Sequence, residues 1–204
     1  MVIVLADFFS RTQHDPHNLL WVVKSAALTL GVVIWILLQP NLSTSIVLMV
    51  LWFSLLWISG LPPKYLLIFG ILGVVGALVL FPFLETYQQL RILNFIFPDP
   101  TSRHGNSYNV EQALISIGSG GMFGMGYGHG TQVQLRFLKV RHTDFIFSAM
   151  AEEFGFVGTV LVISLLVFVI YRCFRVAREA NDMFGALIAY GIGVLLFFQS
   201  AVNI

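Results

Sequence analysis

The sequence predicts an all-α protein, a polytopic bundle of transmembrane helices with a long extracytoplasmic loop that contains short helices. Charged residues make up 10% of the chain, well below the roughly 25% found in soluble domains. Hydrophobic residues reach 57%, and several apolar runs approach the ~20 residues that cross a bilayer. These runs must be helical, because lipid offers no water to an open backbone.

Apolar runs place the predicted spans within a single membrane domain, residues 1–204. We predict about five spans, because each run is close to bilayer length; they are residues 19–38, 44–60, 65–83, 145–174 and 184–204. The fourth is long enough to contain an interfacial turn. The first apolar run, which contains Asp7, is too short to cross a bilayer. We therefore expect the chain to begin inside a helix and to be a piece of a longer protein.

Basic residues predict the topology of these spans. Arg11, Lys64 and the arginines between residues 172 and 178 fall in short loops that alternation puts on one side of the membrane. The positive-inside rule makes that side cytoplasmic. The opposite, outer side then receives a long loop at about 84–144. This loop is also basic, but loops of about 60 residues or more translocate with little regard to charge.

The second half of the outer loop combines a helical pattern with a glycine cluster. Val110, Leu114 and Ile117 recur at helical spacing and predict a short helix that lies at the membrane surface or re-enters the membrane. The cluster "GSGGMFGMGYGHGT" that follows lacks the Lys-Ser/Thr pair of a phosphate-binding loop and the full motif of a potassium filter. We expect its glycines to adopt positive φ or to let backbones approach closely. Backbone amides lining a pocket for an anion are also compatible with it.

Composition excludes several classes of function. The formal net charge is +1 and no basic stripe is present, so a nucleic-acid partner is not expected. A single cysteine, Cys173, provides no disulfide framework. His104, His129 and His142 are too far apart in sequence to spell a metal site, and we predict no metal ligands among them.

The stretch "RHTDFIFSAMAEEFG" carries the strongest indication of chemistry. If a helix begins near Asp144, then Asp144, Ser148, Glu152 and Gly155 share one face. Asp144 could serve only as a helix N-cap or as an ion-pair partner of Arg141. Yet ionisable residues at membrane depth usually face a cavity and mark a functional path. Two carboxylates on one face could pass a proton, position a sugar hydroxyl, or bind a metal ion carried by a phosphorylated substrate.

Cations near this stretch suit a phosphorylated ligand. Arg91, Arg136, Lys139 and Arg141 would provide countercharges for a pyrophosphate if the loop folds back over Asp144. Contact with anionic lipid headgroups or with water explains any one of them equally well. The residues alone thus indicate a membrane protein with a polar active or transport site on its outer face.

Three stretches together resemble one family. They are "LLQPNLSTSIVLMVLWFSLLW", "NVEQALISIGSGGMFGMGYGHGTQVQLRFLKVRHTDFIFSAMAEEFGFVG" and the terminal "FFQSAVNI". In order and spacing they resemble the shape, elongation, division and sporulation (SEDS) family, and most closely its rod-shape members. The resemblance implies a fold of ten transmembrane helices, of which this chain would run from the end of the fourth into the ninth.

The resemblance also implies an activity. Family members are peptidoglycan glycosyltransferases that polymerise lipid II into glycan strands at the outer face of the bacterial cytoplasmic membrane during cell elongation. They work with a class B penicillin-binding protein and other elongation-complex proteins, surrounded by membrane lipid. The reaction would invert the anomeric carbon. No cofactor is certain, although a divalent cation such as Mg²⁺ could offset the diphosphate charge. A fragment would be inactive alone if half its cavity were missing.

Roles for individual residues follow from the matching motif. The essential acidic residue of the family's His-Thr-Asp-Phe-Ile-Phe motif corresponds to Asp144, which would act as general base. The expected substrate-binding residues are Arg91, Arg136, Arg141, His142 and Glu152.

The chain departs from the family pattern at two positions. Asn41 stands where the family usually has Asp, and Lys139 stands where it commonly has Pro.

Two rival functions stay open. A lipid II flippase would use the same outward cavity, but a flippase needs polar groups through the membrane depth. The spans up to residue 83 hold few ionisable residues there beyond Lys24. A non-catalytic scaffold for cell-wall enzymes would be insensitive to loss of the Asp144 carboxylate.

Overall fold

The computed structural model describes residues 1–12, 19–39, 42–83, 86, 89, 93, 106–130 and 146–203. Within these ranges the chain forms helices and no β-strand, which confirms the predicted all-α fold. The helices are α1 (Val2–Thr12), α2 (Leu19–Leu37), α3 (Leu42–Ile58), α4 (Pro63–Leu80), a 3-10 turn (Phe81–Phe83), α5 (Asn106–Ser119), α6 (Ile146–Glu179) and α7 (Met183–Asn203).

The long apolar helices coincide with the predicted spans. By length and composition, α2, α6 and α7 can each cross a membrane. Helices α3 and α4 contain the shorter apolar stretches Ser43–Ile58 and Leu67–Gly76. Helix α4 exposes large apolar side chains along much of its length, as expected of a helix whose neighbour is lipid. The chain is therefore a multi-pass membrane protein.

The chain divides into two compact units. One unit comprises residues 1–80 and 168–199, and the other comprises residues 81–167 and 200–204. In the first unit, α1, α2 and α3 pack around fully buried side chains that include Leu5, Val22 and Leu55. Phe9 of α1 meets Trp21 of α2 edge to face, with ring centroids 5.5 Å apart. Because α2 and α3 are almost entirely apolar, such shape-specific contacts decide which faces meet.

A polar contact joins α2 to α3 inside this core. The Trp52 indole Nε1–H donates to the Ser25 hydroxyl oxygen over 3.1 Å, and the Ser25 hydroxyl donates to the Val22 carbonyl over 2.9 Å. Ser25 is fully buried, so water cannot replace it as the acceptor for the indole.

Replacing this serine tests the contact. The Ser25→Ala variant leaves the Trp52 indole N–H without its acceptor, which costs about 1–3 kcal/mol. We expect a lower midpoint of thermal unfolding for the full-length protein in detergent. The matched control is Ser164→Ala, whose exposed hydroxyl bonds only to the Val160 carbonyl of its own helix. Adding Trp52→Phe to Ser25→Ala removes the orphaned donor, and no recovery of the midpoint would contradict the assignment.

In the second unit, α5 is the short helix predicted for the outer loop. On this helix Leu114 and Ile117 are exposed, while Ala113 and Ser116 are buried. The reason is steric: the small side chains at positions 113 and 116 let α5 approach a neighbouring helix closely. The larger apolar residues then face outward, as suits a helix lying at a membrane surface.

Candidate functional site

The candidate site forms where α5, the glycine segment (residues 118–130) and the beginning of α6 meet within the second unit. The glycine segment approaches α6 very closely at Gly120. A Cβ added to this glycine would lie 2.0 Å from the Ala151 carbonyl oxygen. Backbone atoms of the glycine segment therefore touch the backbone of α6, which confirms the close approach expected for these glycines. Any side chain at position 120 would force the two segments apart.

Helix α6 is broken at Gly155, where φ is 66° and ψ is −167°. This conformation is accessible to glycine and strained for other residues. The break leaves a short outer segment, Ile146 to Phe154, and a longer helix from Phe156 to Glu179. The interfacial turn that we considered for this span is thus a discrete break at one glycine.

The glycine segment supplies the hydrogen bonds that the break removes. In an unbroken helix the Phe156 N–H would bond to the Glu152 carbonyl. Instead, the Phe156 N–H donates to the Gly121 carbonyl over 2.9 Å, and the Glu152 carbonyl accepts from the Met125 N–H over 2.9 Å. The same exchange occurs one residue further on. The Val157 N–H donates to the Met122 carbonyl over 3.1 Å, and the Glu153 carbonyl accepts from the Gly126 N–H over 3.0 Å.

This exchange explains how a membrane protein tolerates a broken helix. Unpaired backbone groups are costly away from water, so irregular backbone persists only where other protein groups pair with it. The glycine segment does so from close range, since a Cβ at Gly124 would lie 2.1 Å from the Glu153 carbonyl oxygen. Gly124 also has a φ of 81°, in the region that favours glycine. The amides of residues 125 and 126 are therefore engaged by α6 itself and are not directed at an anion.

Glu152 is the charged residue at the centre of this site. Its side chain is fully buried, and the Ser116 hydroxyl donates to its Oε2 over 3.1 Å. Ser116 also lies 3.2 Å from the Ser148 carbonyl oxygen, one turn earlier on α6. Ser116 is not the sole partner of this carboxyl group, in keeping with the high cost of burying an unpaired charge. Gly130 closes the other side, where a Cβ would lie 2.8 Å from the carboxyl carbon.

Glu153 holds the glycine segment from a more exposed position. The Gly128 N–H donates to its Oε1 over 3.2 Å. The two consecutive carboxyl groups thus have different tasks: Glu152 points into protein toward α5, and Glu153 reaches the outer turn of the glycine segment. His129, beside that turn, places Nδ1 3.0 Å from the Tyr127 carbonyl. Within the described ranges, no three His, Cys, Asp or Glu side chains could share a metal ion.

Most of the residues predicted to act on substrate lie outside the described residues. These are Arg91, Arg136, Arg141, His142 and Asp144. Glu152 is described, and it shares a helical face with Ser148 as the four-residue spacing predicts; both are buried. Gly155 does not continue that face, because the helix breaks there. The general-base role of Asp144 and the substrate contacts therefore stay predictions.

Two residues of the site were not predicted from the sequence. Ser116 is a small polar residue between larger apolar ones, and its partner is 36 positions away. Gly130 is one glycine among several in its cluster, and only its distance from Glu152 distinguishes it. The available signal was the small side chains at positions 113 and 116, since small residues on a membrane helix allow a neighbouring backbone to approach closely.

Comparisons with known proteins identify the family and the fold. The family model described as "Cell cycle protein", covering the FtsW, RodA and SpoVE proteins, matches residues 1–204. A probable peptidoglycan glycosyltransferase FtsW of Hydrogenovibrio crunogenus is 35% identical over 209 residues, covering 100% of this chain and 52% of that protein. The peptidoglycan glycosyltransferase MrdB of Escherichia coli K12 is 38% identical over 167 residues, covering 81% of this chain and 45% of that protein.

A solved structure shows the same fold. It comes from a study of how a peptidoglycan synthase complex coordinates polymerization and crosslinking. The match has a TM-score of 0.72 and 28% sequence identity, and it covers 99% of this chain and 56% of the other. The chain spans about half the length of the curated relatives that it matches. Since the family model covers every residue, the chain belongs to the FtsW/RodA/SpoVE family of cell cycle proteins, the SEDS family that its sequence resembles.

Proposed function

We propose that the protein is a peptidoglycan glycosyltransferase that polymerises lipid II into glycan strands at the outer face of the bacterial cytoplasmic membrane. The observation that carries the proposal is the built polar site at the broken start of α6, in a chain whose relatives include FtsW and MrdB peptidoglycan glycosyltransferases. Within the described ranges, this is where a fully buried carboxyl group lies.

The length of α6 supports chemistry at the membrane surface. Its 34 residues would extend about 51 Å as one straight helix, well beyond the ~30 Å hydrocarbon core. The part after Gly155 reaches roughly 36 Å at 1.5 Å per residue and can cross the core by itself. The outer segment that begins at Ile146 is therefore available for the interface, and Asp144 precedes it by two residues.

The proposed reaction assigns the proton to Asp144. The sugar 4-hydroxyl of one lipid-linked disaccharide attacks the anomeric carbon at the end of the growing chain. A new bond forms between that oxygen and the anomeric carbon, while the bond from the anomeric carbon to the lipid diphosphate breaks. The diphosphate leaves with the electron pair, and the hydroxyl proton passes to Asp144. Attack from the face opposite the leaving group inverts the carbon without a covalent enzyme intermediate.

Cationic side chains complete the proposed site. Arg91, Arg136 and Arg141, together with His142, would offset the negative charge that builds on the departing diphosphate. We propose a class B penicillin-binding protein as partner, with other elongation-complex proteins. The support for a partner is the likeness to a chain from a peptidoglycan synthase complex.

Reconstitution tests the proposed activity. The full-length protein is purified with a class B penicillin-binding protein whose transpeptidase site is blocked by a β-lactam, and fluorescent lipid II is added. We expect a ladder of glycan strands, which the partner alone does not make. Parallel assays with Mg²⁺ and with EDTA show whether a divalent cation takes part. If lipid II crosses vesicle leaflets but no strands form, the protein is a transporter and the proposal is wrong.

A further inference from the structure

The outer segment of α6 needs an orientation that the membrane helix cannot supply. The outer segment comprises nine residues, Ile146 to Phe154, and ends at the break at Gly155. At the break the Phe156 N–H bonds to the Gly121 carbonyl of the glycine segment. A helix this short is also marginal without tertiary contacts. Contacts with other elements must therefore determine the direction in which this segment points.

Those contacts are of two kinds. Backbone N–H groups of the glycine segment bond to the Glu152 and Glu153 carbonyls, and so hold the end of the outer segment that lies beside the break. Side-chain bonds hold its face toward α5, because the Ser116 hydroxyl lies 3.1 Å from Glu152 Oε2 and 3.2 Å from the Ser148 carbonyl. Ser116 has one hydroxyl hydrogen, so it alternates between or shares these two acceptors. The bond to a carboxylate is the stronger of the two.

The backbone bonds restrain the outer segment only near the break, at residues 152 and 153, and the contact with Ser116 adds a restraint one turn nearer its start. Glu152 and Ser148 lie on the same face, one turn apart, and both meet Ser116. This contact therefore selects one rotation of the outer segment. Asp144 precedes the start of α6 by two residues in the sequence, so the outer segment is the described element to which the proposed base is joined.

We propose that the Glu152–Ser116 pair positions Asp144 for proton transfer, by holding the outer segment of α6 in one rotation against α5. Glu152 is then a positioning residue and not a substrate contact, since its carboxyl group is fully buried. Gly130 contributes to the same positioning, because any side chain there would displace the Glu152 carboxyl group. This inference rests on the proposed function, in which Asp144 is the general base.

A double-mutant cycle tests the pair in the full-length protein with its penicillin-binding partner. The variants are Glu152→Gln, Ser116→Ala and the two combined, with Glu111→Gln as the control. Glu111 is an exposed carboxylate on the same helix as Ser116. We expect kcat for lipid II polymerisation to fall about tenfold in Glu152→Gln, because sub-ångström to ångström displacement of a catalytic group costs up to about a hundredfold. The apparent KM stays within about twofold of wild type, since no substrate contact is lost.

The combined variant distinguishes positioning from a general loss of stability. Two residues that share a contact give non-additive effects, so the loss of kcat in the combined variant is expected to be smaller than the product of the two single losses. Gly130→Ala provides a second route, because it leaves both side chains intact but displaces the carboxyl group, and it should lower kcat without raising KM.

Other outcomes overturn the inference. An unchanged kcat in Glu152→Gln and Gly130→Ala, or a raised KM with unchanged kcat, shows that Glu152 does not position the base. Multiplicative losses in the combined variant show that the two residues act separately. If Asp144→Asn is inactive while Glu152→Gln keeps full kcat, only the positioning role fails. If Asp144→Asn polymerises at the wild-type rate, the assignment of the base fails and the positioning role fails with it.

Discussion

The Asp144→Asn variant of the full-length protein is expected to polymerise lipid II at least about a hundredfold more slowly than wild type, because a positioned general base contributes roughly 10²–10⁴-fold. The amide cannot accept the hydroxyl proton, although it has nearly the same size and shape as the carboxyl group. Binding of lipid II, measured by its retention on the detergent-solubilised protein, should persist. The readout is the initial rate of glycan-strand formation with the blocked penicillin-binding partner.

The same substitution separates catalysis from helix capping. Asn is about as good an N-cap as Asp, so a residue that only caps α6 would tolerate the change. The chain contains an observed cap for comparison: Asp182 accepts a hydrogen bond from the Gly185 N–H over 2.7 Å at the start of α7. We expect Asp182→Asn to polymerise at the wild-type rate. If Asp144→Asn also polymerises lipid II at the wild-type rate, Asp144 only caps the helix and is not the base.

The Gly155→Ala variant is expected to disrupt the site by separating the glycine segment from α6. Alanine at the φ and ψ of Gly155 costs about 1–3 kcal/mol in backbone strain. Its Cβ would also lie 2.2 Å from the Gly124 nitrogen and 2.7 Å from the Phe123 carbonyl carbon. Both are backbone atoms, which cannot rotate aside. The glycine segment must therefore separate from α6 and lose the four hydrogen bonds that pair with the break.

Hydrogen exchange measures this separation directly. Amides of Met125, Gly126, Phe156 and Val157 should exchange faster in Gly155→Ala than in wild type, and lipid II polymerisation should be lost with them. The matched control is Gly118→Ala, where the new Cβ meets nothing within 4 Å and the backbone is helical. Alanine is also favoured over glycine in a helix by up to about 1 kcal/mol. Equal exchange protection in the two variants would contradict the role given to the break.

Local pattern was sufficient to predict most helices of this protein. Each predicted span coincides with a helix because a bilayer requires both uninterrupted apolarity and internally paired backbone, and both are properties of one contiguous segment. The short helix of the outer loop was predicted by the same periodic spacing. Which face of this helix packs on protein does not follow from that spacing, since apolar residues on a membrane helix have no preference for protein over lipid. Ala113 and Ser116 face the protein because they are small.

The sequence by itself determined the helical membrane fold, the close glycine contacts and the shared face of Ser148 and Glu152, since each depends on hydropathy, residue size or helical period over a few neighbouring positions. Only the tertiary structure decided that α6 breaks at Gly155, that the glycine segment pairs with the broken ends, and that Ser116 meets Glu152. These features join residues about 30 positions apart. No local pattern encodes such a pairing, because it depends on the path of the chain between the two segments.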